Sequence, residues 1–211
     1  MKLQFNGAKV RQPPRPLCLV LSSPSGGGKT TLCERLLEEF PALVYSISCT
    51  TRPPRPGEVD GKHYYFLTEP EFQRRVAAGF FLEYARVHEH WYGTPRQCIE
   101  DALQAGRDVI LAIDVQGAER IRDLIAGSAA AILKQAFVDI FIVPPSLAAL
   151  KQRLAERGQD TEETMALRLA NAEKELACRN RYKHVIVNDR LDEAYARLKA
   201  VIRAEHERAV K

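Results

Sequence analysis

Ser23-Pro24-Ser25-Gly26-Gly27-Gly28-Lys29-Thr30 follows the apolar run Leu17-Cys18-Leu19-Val20-Leu21 and precedes Leu32, Leu36, Leu37 and Phe40, which recur at helical spacing until Pro41. A buried strand, a glycine-rich turn and a helix in that order predict a loop that wraps an anion. Three successive glycines let the backbone curl so that several N–H groups point inward. Lys29 adds a point positive charge for β- and γ-phosphates, and the Thr30 hydroxyl can ligate Mg²⁺. The helix contributes its positive N-terminal end to the same place. Ser23 is irregular, because this pattern usually opens on glycine. The alternative is a plain flexible turn, which the strand and helix on either side disfavour. By itself the loop says only that some phosphate is bound.

Beyond the loop, apolar β-rich runs recur at Val109-Ile110-Leu111-Ala112-Ile113, Ile140-Phe141-Ile142-Val143 and Val185-Ile186-Val187. They are short and unalternating, as expected of strands buried on both faces of a parallel sheet. Helical patterns lie between them, over Pro95 to Ala105 and Ser146 to Arg157. After Asp160, Met165, Leu169, Ala172 and Leu176 form one stripe, with Asp160 and Glu163 as a capping pair. The last helix carries Ala194, Leu198, Val201 and Ile202 on one face. The predicted fold is α/β, a parallel sheet flanked by helices. Two stretches break the rhythm, Ser46 to Thr94 and Ser146 to Cys178, and both read as insertions at the sheet's C-terminal edge, where open α/β folds bind ligands.

Composition bounds the function without choosing it. The chain has 211 residues, 45% hydrophobic and 27% charged, as in an ordinary soluble domain. No run approaches the ~18 apolar residues of a membrane span. Residues 1–16 form an N-terminal extension with basic residues and Pro13-Pro14-Arg15-Pro16 but no apolar core, so they do not read as a secretory signal. The net charge of +4 decides nothing about nucleic acid. Five scattered cysteines, with no C-x-x-C pair, predict a reducing cytoplasm and no disulfide framework. His88 and His90 flank Glu89 without further ligands and read as surface residues.

Thr50-Thr51-Arg52-Pro53-Pro54-Arg55-Pro56-Gly57-Glu58 is the second informative block. Its prolines fix φ, so Arg52 and Arg55 lose little backbone entropy in converging, and their planar forks suit bidentate phosphate contacts. A basic linker, or a P-x-x-P partner motif, fits those residues equally well.

The whole arrangement, however, resembles guanylate kinase. The matching residues are Ser46 through Gly61, then Tyr64, Phe81-Leu82-Glu83-Tyr84-Ala85, Tyr92-Gly93-Thr94, Ile113-Asp114-Val115-Gln116-Gly117, Pro144-Pro145-Ser146 and Val185-Ile186-Val187-Asn188-Asp189. They run in order from about Leu19 to the end. The resemblance implies transfer of the terminal phosphate of ATP to GMP, with Mg²⁺, giving ADP and GDP in purine nucleotide metabolism. It divides residues 17–211 into a core (17–46, 95–145 and 179–211), a GMP-binding subdomain (47–94) and a lid (146–178).

Carried over by position, the resemblance implies that ATP lies on Ser23, Pro24, Ser25, Gly26, Gly27, Gly28, Lys29, Thr30 and Thr31, with Arg157 and Asn188. It implies that Arg52, Arg55, Tyr64 and Tyr92 hold the GMP phosphate, that Glu58 also belongs to the GMP site, and that Ser48, Glu83, Thr94 and Asp114 surround guanine. Lys29, Arg52, Arg157 and Arg168 are the implied catalytic residues, and Thr30 the implied metal ligand. Chemistry supports Glu83 separately. Guanine presents N1–H and the N2 amine side by side, and one carboxylate accepts both; adenine offers neither.

Besides Ser23, which stands where the family loop usually opens on glycine and implies only a mild adjustment, two departures stand out. Ala112 lies where many members carry an acid, and the stretch from Arg122 to Phe137 is longer than usual, with no functional reading. Two rivals remain: a catalytically inactive module of this family that binds protein partners, and a kinase of the same architecture with another acceptor. Retention of Lys29, Thr30, Arg52, Arg55 and Glu83 disfavours the first, and the guanine-pocket residues the second. The expected partners are ATP and GMP, with dGMP a further candidate, and neither nucleic acid nor membrane.

Overall fold

The computed structural model describes residues 15–87, 89–127, 130–156 and 162–208. The chain begins with β1 (Cys18–Ser22), α1 (Lys29–Glu39) and β2 (Val44–Tyr45). It then builds β3 (Cys49–Thr50), β4 (Tyr65–Phe66), α2 (Glu69–Ala77), β5 (Phe81–Val87) and β6 (His90–Pro95). It returns through α3 (Arg96–Gln104), β7 (Val109–Ala112), α4 (Val115–Ala126), α5 (Ala131–Ala136) and β8 (Phe137–Val143). The remaining elements are α6 (Leu147–Glu156), α7 (Glu162–Ala177), a 3₁₀ turn (Cys178–Arg181), β9 (His184–Val187) and α8 (Leu191–Arg208).

One sheet runs in the order β2-β7-β1-β8-β9, and every pairing in it is parallel. β1 is central and wholly buried. Its side chains alternate between two cores. Cys18 and Val20 face a cluster with Ile99, Leu103, Ile121, Leu133 and Phe141. Leu19 and Leu21 face the other, with Leu32, Leu36, Ile140, Ile186 and Leu198. Thus α3, α4 and α5 cover one face, and α1 and α8 the other. That double cover is why the strands read as unbroken apolar runs. The chain leaves β1 toward β2 on one side, whereas β7 crosses over to β8 on the other. The C-terminal end of β1 is therefore the topological switch point where open α/β sheets take their ligands.

A second, four-stranded sheet has the order β4-β3-β6-β5, with β5 and β6 antiparallel. Its own core is aromatic. Phe72 stacks on Phe81 with ring centroids 4.6 Å apart, and Trp91 and Tyr84 pack beside them. Thr68 starts α2 by accepting the Glu71 N–H on its hydroxyl. Leu150 and Leu154 of α6 pack with Ala172 and Leu169 of α7, so the stripe expected on the second helix faces the first.

The expected elements differ from the structure at several ends. β8 starts at Phe137, three residues before the expected Ile140. The interruption is Asp139, a charge inside a buried strand and only 4% exposed. Its Oδ2 accepts the Arg122 Nε–H at 2.8 Å, and its Oδ1 accepts the Lys183 N–H at 2.9 Å. Arg122 lies over the Tyr182 ring at 4.2 Å. The long stretch 122–137 is occupied by the end of α4 and by α5, whose Leu133 and Ala136 enter the core. The expected Asp160–Glu163 capping pair lies outside the described residues at Asp160.

Removing the Asp139 carboxylate leaves a largely buried guanidinium with only the more exposed Glu119 carboxylate, 3.7 Å away, as counter-charge. Asp139→Ala is expected to lose about 3 kcal/mol of stability. Urea denaturation measures it, and a loss below about 1 kcal/mol would contradict this account, being no more than the worth of an exposed ion pair.

Candidate active site

The glycine-rich loop leaves β1 and enters α1 at Lys29. Gly28 caps that helix at φ 92°, a left-handed conformation that strains any residue with a Cβ. A Cβ there would also lie 2.1 Å from Asn188 Nδ2. The Asn188 amide in turn donates to the Gly27 carbonyl at 2.9 Å. Asn188 follows β9, so the far strand of the sheet braces the loop from behind. The irregular Ser23 is accommodated locally. It is buried, and its hydroxyl donates to the Pro24 carbonyl, which also accepts the Gly27 N–H at 2.9 Å. Pro24 is buried as well, while Ser25, Thr30 and Thr31 are exposed at the mouth.

Lys29 Nζ donates to the Ile113 carbonyl at 2.7 Å. Burial lowers its pKa, and the charge of Asp114 works against that shift. The ammonium thus sits where β1 and β7 both end. Ala112, at the end of β7, is partly buried and packs with the α1 side of the core.

On the second sheet and its loops, Arg52, Glu58, Tyr64 and Tyr92 converge. Arg52 Nη2 pairs with Glu58 Oε1 at 2.8 Å, and its guanidinium lies 5.6 Å from the Tyr64 ring centroid. Tyr64 and Tyr92 meet edge to face at 5.9 Å. Glu58 Oε2 accepts the Arg55 N–H at 2.7 Å. Both Glu58 oxygens are therefore engaged within the loop, which closes it into a turn. The Arg55 side chain is exposed beside it.

Glu83 stands on β5, which pairs with β6, the strand that carries Tyr92. It is 7% exposed on β5, and its Oε1 accepts the hydroxyl proton of Thr94, its cross-strand neighbour on β6, at 2.5 Å. Burial pushes its carboxyl up to about 7; Asp114 raises it further, while Thr94 and the Arg120 charge pull it down. Asp114 caps α4, its Oδ1 accepting the Gly117 N–H at 2.8 Å. Its charge acts on both Lys29 and Glu83, which ties the glycine-rich loop to the buried carboxylate. Ser48 lies just before β3, half-buried, its carbonyl accepting the Tyr65 N–H.

A phosphate-type loop that shares the charge of Asp114 with a buried carboxylate, together with an arginine–tyrosine cluster on the neighbouring strands, suits two substrates. The family model described as guanylate kinase matches residues 15–205. The chain belongs to the guanylate kinase family. It is 46% identical over 198 residues to a guanylate kinase of Symbiobacterium thermophilum, covering 94% of this chain and 90% of that one. It is 52% identical over 184 residues to one from Nitratidesulfovibrio vulgaris, covering 87% and 84%. The crystal structure of guanylate kinase from Anaplasma phagocytophilum superposes with a TM-score of 0.72 at 35% identity, covering 92% of this chain and 87% of that one.

Relative to this guanylate kinase framework, the helices α6 and α7 add residues that sequence reasoning missed. Arg153 Nη2 donates to the Asn188 carbonyl at 2.9 Å and the Asp189 carbonyl at 3.2 Å. That anchors α6 beside the loop that Asn188 braces. Glu175, near the end of α7, has its carboxyl pushed up to about 7 by burial and by Asp114, against the pull of Lys29. One signal was available. Glu175 lies three residues after Ala172, hence on the buried side of its helix. Arg168 is half-buried on α7, and Arg157 lies outside the described residues.

Among the described residues no three carboxylate, histidine or cysteine groups cluster to hold a metal. Nor is any described helix long and apolar enough to cross a membrane. All five cysteines are free thiols.

Proposed function

We propose that this chain transfers the terminal phosphoryl group of ATP to GMP, giving ADP and GDP. The observation that carries the reading is the buried Glu83–Thr94 pair lying within electrostatic range of the same Asp114 that acts on Lys29. It supports one site with a base-reading end and a phosphate-transferring end.

In this reading the triphosphate lies on Ser23 to Thr31, with Lys29 leaving the Ile113 carbonyl to contact it. Arg52, Arg55, Tyr64 and Tyr92 hold the GMP phosphate, and Glu58 keeps Arg52 aimed rather than touching the anion itself. Glu83 accepts the guanine N1–H and one N2–H, with Ser48, Thr94 and Asp114 around the base. A GMP phosphate oxygen attacks the γ-phosphorus as the bond from that phosphorus to the β,γ-bridging oxygen breaks. The electron pair leaves with ADP. The attacking oxygen is largely deprotonated at pH 7, since the second pKa of such monoesters is near ~6, so no general base is needed. Alignment and charge neutralisation by Lys29, Arg157 and Arg168 do the rest. Residues 47–94 act as the GMP-binding unit and 146–178 as a lid that excludes water. The scattered free thiols fit a cytoplasmic enzyme.

Mg²⁺ fits the donor set as a cation carried in with ATP. The hydroxyl of exposed Thr30 stands at the start of α1, beside the glycine-rich loop. Thr30 would hold the ion together with phosphate oxygens, where it would supply charge neutralisation on the phosphates.

An ADP-release assay across GMP, dGMP, AMP, CMP and UMP tests the whole reading. Turnover confined to the guanine nucleotides is expected. Equal use of AMP would overturn it.

The position of the Glu83 pKa gives a pH signature. Only the ionised carboxylate accepts two guanine donors, so GMP binding releases a proton wherever Glu83 is protonated. With a value of about 7, the KM for GMP is expected to fall roughly tenfold between pH 6 and 8. Glu83→Gln removes that component and leaves only the titration of the GMP phosphate near ~6. Identical profiles for the two proteins would contradict the assignment. The same shift makes the ligand-free chain less stable as pH rises from the usual carboxylate range through 7. There the folded form keeps a proton that the unfolded chain has already lost.

A further inference from the structure

Gly117 is the third residue of α4, one turn from the cap Asp114. Nothing in its backbone demands glycine: it is helical, and alanine is the better helix former. Its surroundings do demand it. A Cβ at Gly117 would lie 2.8 Å from Glu83 Oε2, 3.1 Å from Glu83 Cδ and 3.3 Å from Asp114 Oδ1. Real Cβ atoms essentially never come as close as 2.8 Å, so Glu83 Oε2 would have to shift, and the other two contacts are tight enough to ask their neighbours to give by a few tenths of an ångström.

The carboxylate has little freedom to withdraw. On its other side Oε1 holds the Thr94 hydroxyl, which is fully buried, and Glu83 itself is fixed in register opposite Thr94. The backbone of α4 thus forms one wall of the slot in which the Glu83 carboxylate stands, and Thr94 forms the other.

We infer that Gly117 is a positioning residue for substrate selection: its bare Cα sets where the Glu83 carboxylate stands, and through it which base is accepted. The inference rests on the functional reading above. A methyl group at 117 drives the carboxylate toward Thr94 or out of its plane, and both displacements misalign it with the paired N–H donors of guanine. The phosphate-handling residues lie elsewhere and stay in place.

The experiment is a comparison of the parent chain, Gly117→Ala, Glu83→Ala and the double variant by steady-state kinetics and thermal melting. For Gly117→Ala the expected result is a KM for GMP raised at least tenfold, with kcat within about threefold and the KM for ATP within about twofold. A GMP KM within twofold of the parent would overturn the inference, as would equal losses for GMP and ATP. Melting keeps the test decisive if Gly117→Ala folds poorly. Alanine at 117 is expected to lower the melting temperature when Glu83 is present and to leave it unchanged or raise it in the Glu83→Ala background. The same depression in both backgrounds would show that something other than Glu83 demands the glycine. Failure of the functional reading is read separately, from a parent chain that does not phosphorylate GMP.

Discussion

Lys29→Ala is expected to lower kcat by about 10³-fold while leaving GMP binding nearly intact. The lysine occupies the first turn of α1, immediately after the left-handed Gly28, so its backbone place is set by the loop rather than by its side chain. Its ammonium is held at the end of β7 by the Ile113 carbonyl, and burial there lowers its pKa without depriving it of the opposing influence of Asp114. A desolvated cation in this position has a weak neutral partner, a carbonyl, and gains most when negative charge moves beside it. Charge on the transferring phosphoryl group peaks in the transition state, so the loss appears in kcat rather than in acceptor affinity. GMP lies on the arginine–tyrosine cluster and Glu83, which the substitution does not touch. Single-turnover measurements with saturating ATP and GMP, alongside GMP titration by calorimetry, check both halves. Turnover within tenfold of the parent would remove Lys29 from the chemistry, and a lost GMP affinity would mean that the substitution disturbed Asp114 instead.

What could be read in the sequence followed from how each element is buried. The strands β1 and β7 were legible because both faces of their sheet are covered there, which forces continuous apolar runs. β9 is an edge strand with Val185 and Val187 exposed, and only its β-branched run marks it in the sequence. The glycine-rich loop was legible because its geometry admits few other residues. β8 was legible only in part, since Asp139 mimics a strand end until Arg122 is known to neutralise it. The second sheet shows in the sequence only as an insertion at the ligand edge of the first, with no sign that it is a sheet. β3 and β4 are two residues long, and their core is a few aromatics contributed by α2, β5 and β6. Nothing in Phe81-Leu82-Glu83-Tyr84 announces a buried carboxylate, because alternation along β5 is irregular at that point. Glu83 entered through family resemblance and guanine chemistry. Arg153 and Glu175 were hidden for a different reason: they belong to charged helices, where a side chain that turns inward looks like its solvated neighbours. Their roles emerge only when α6 and α7 are seen against Asn188 and Lys29.

Glu83→Ala is expected to abolish the preference for GMP over AMP, a change on the order of 10⁴-fold in relative kcat/KM. The size follows from the cost of mismatch, not from the strength of two hydrogen bonds. With Glu83 in place, adenine brings an unprotonated N1, an acceptor, against a buried carboxylate and has no 2-amino group to offer. The ionised carboxylate then loses its solvation while facing an acceptor, and the protonated form can donate only one hydrogen bond, to N1, where guanine supplies two. Its pKa of about 7 shows how far the pocket already disfavours the bare anion. The paired donors of guanine relieve that penalty, whereas adenine leaves it standing. Alanine removes the penalty and the reward together, so GMP falls sharply while AMP rises from a very low base. The Thr94 hydroxyl is left without its acceptor and can turn toward either base, which blurs discrimination further. Competition between GMP and AMP in one reaction gives the ratio of kcat/KM directly. A selectivity within tenfold of the parent would place base recognition on Asp114 and Ser48 rather than on Glu83. A uniform loss for every acceptor would assign Glu83 to holding β5 against β6.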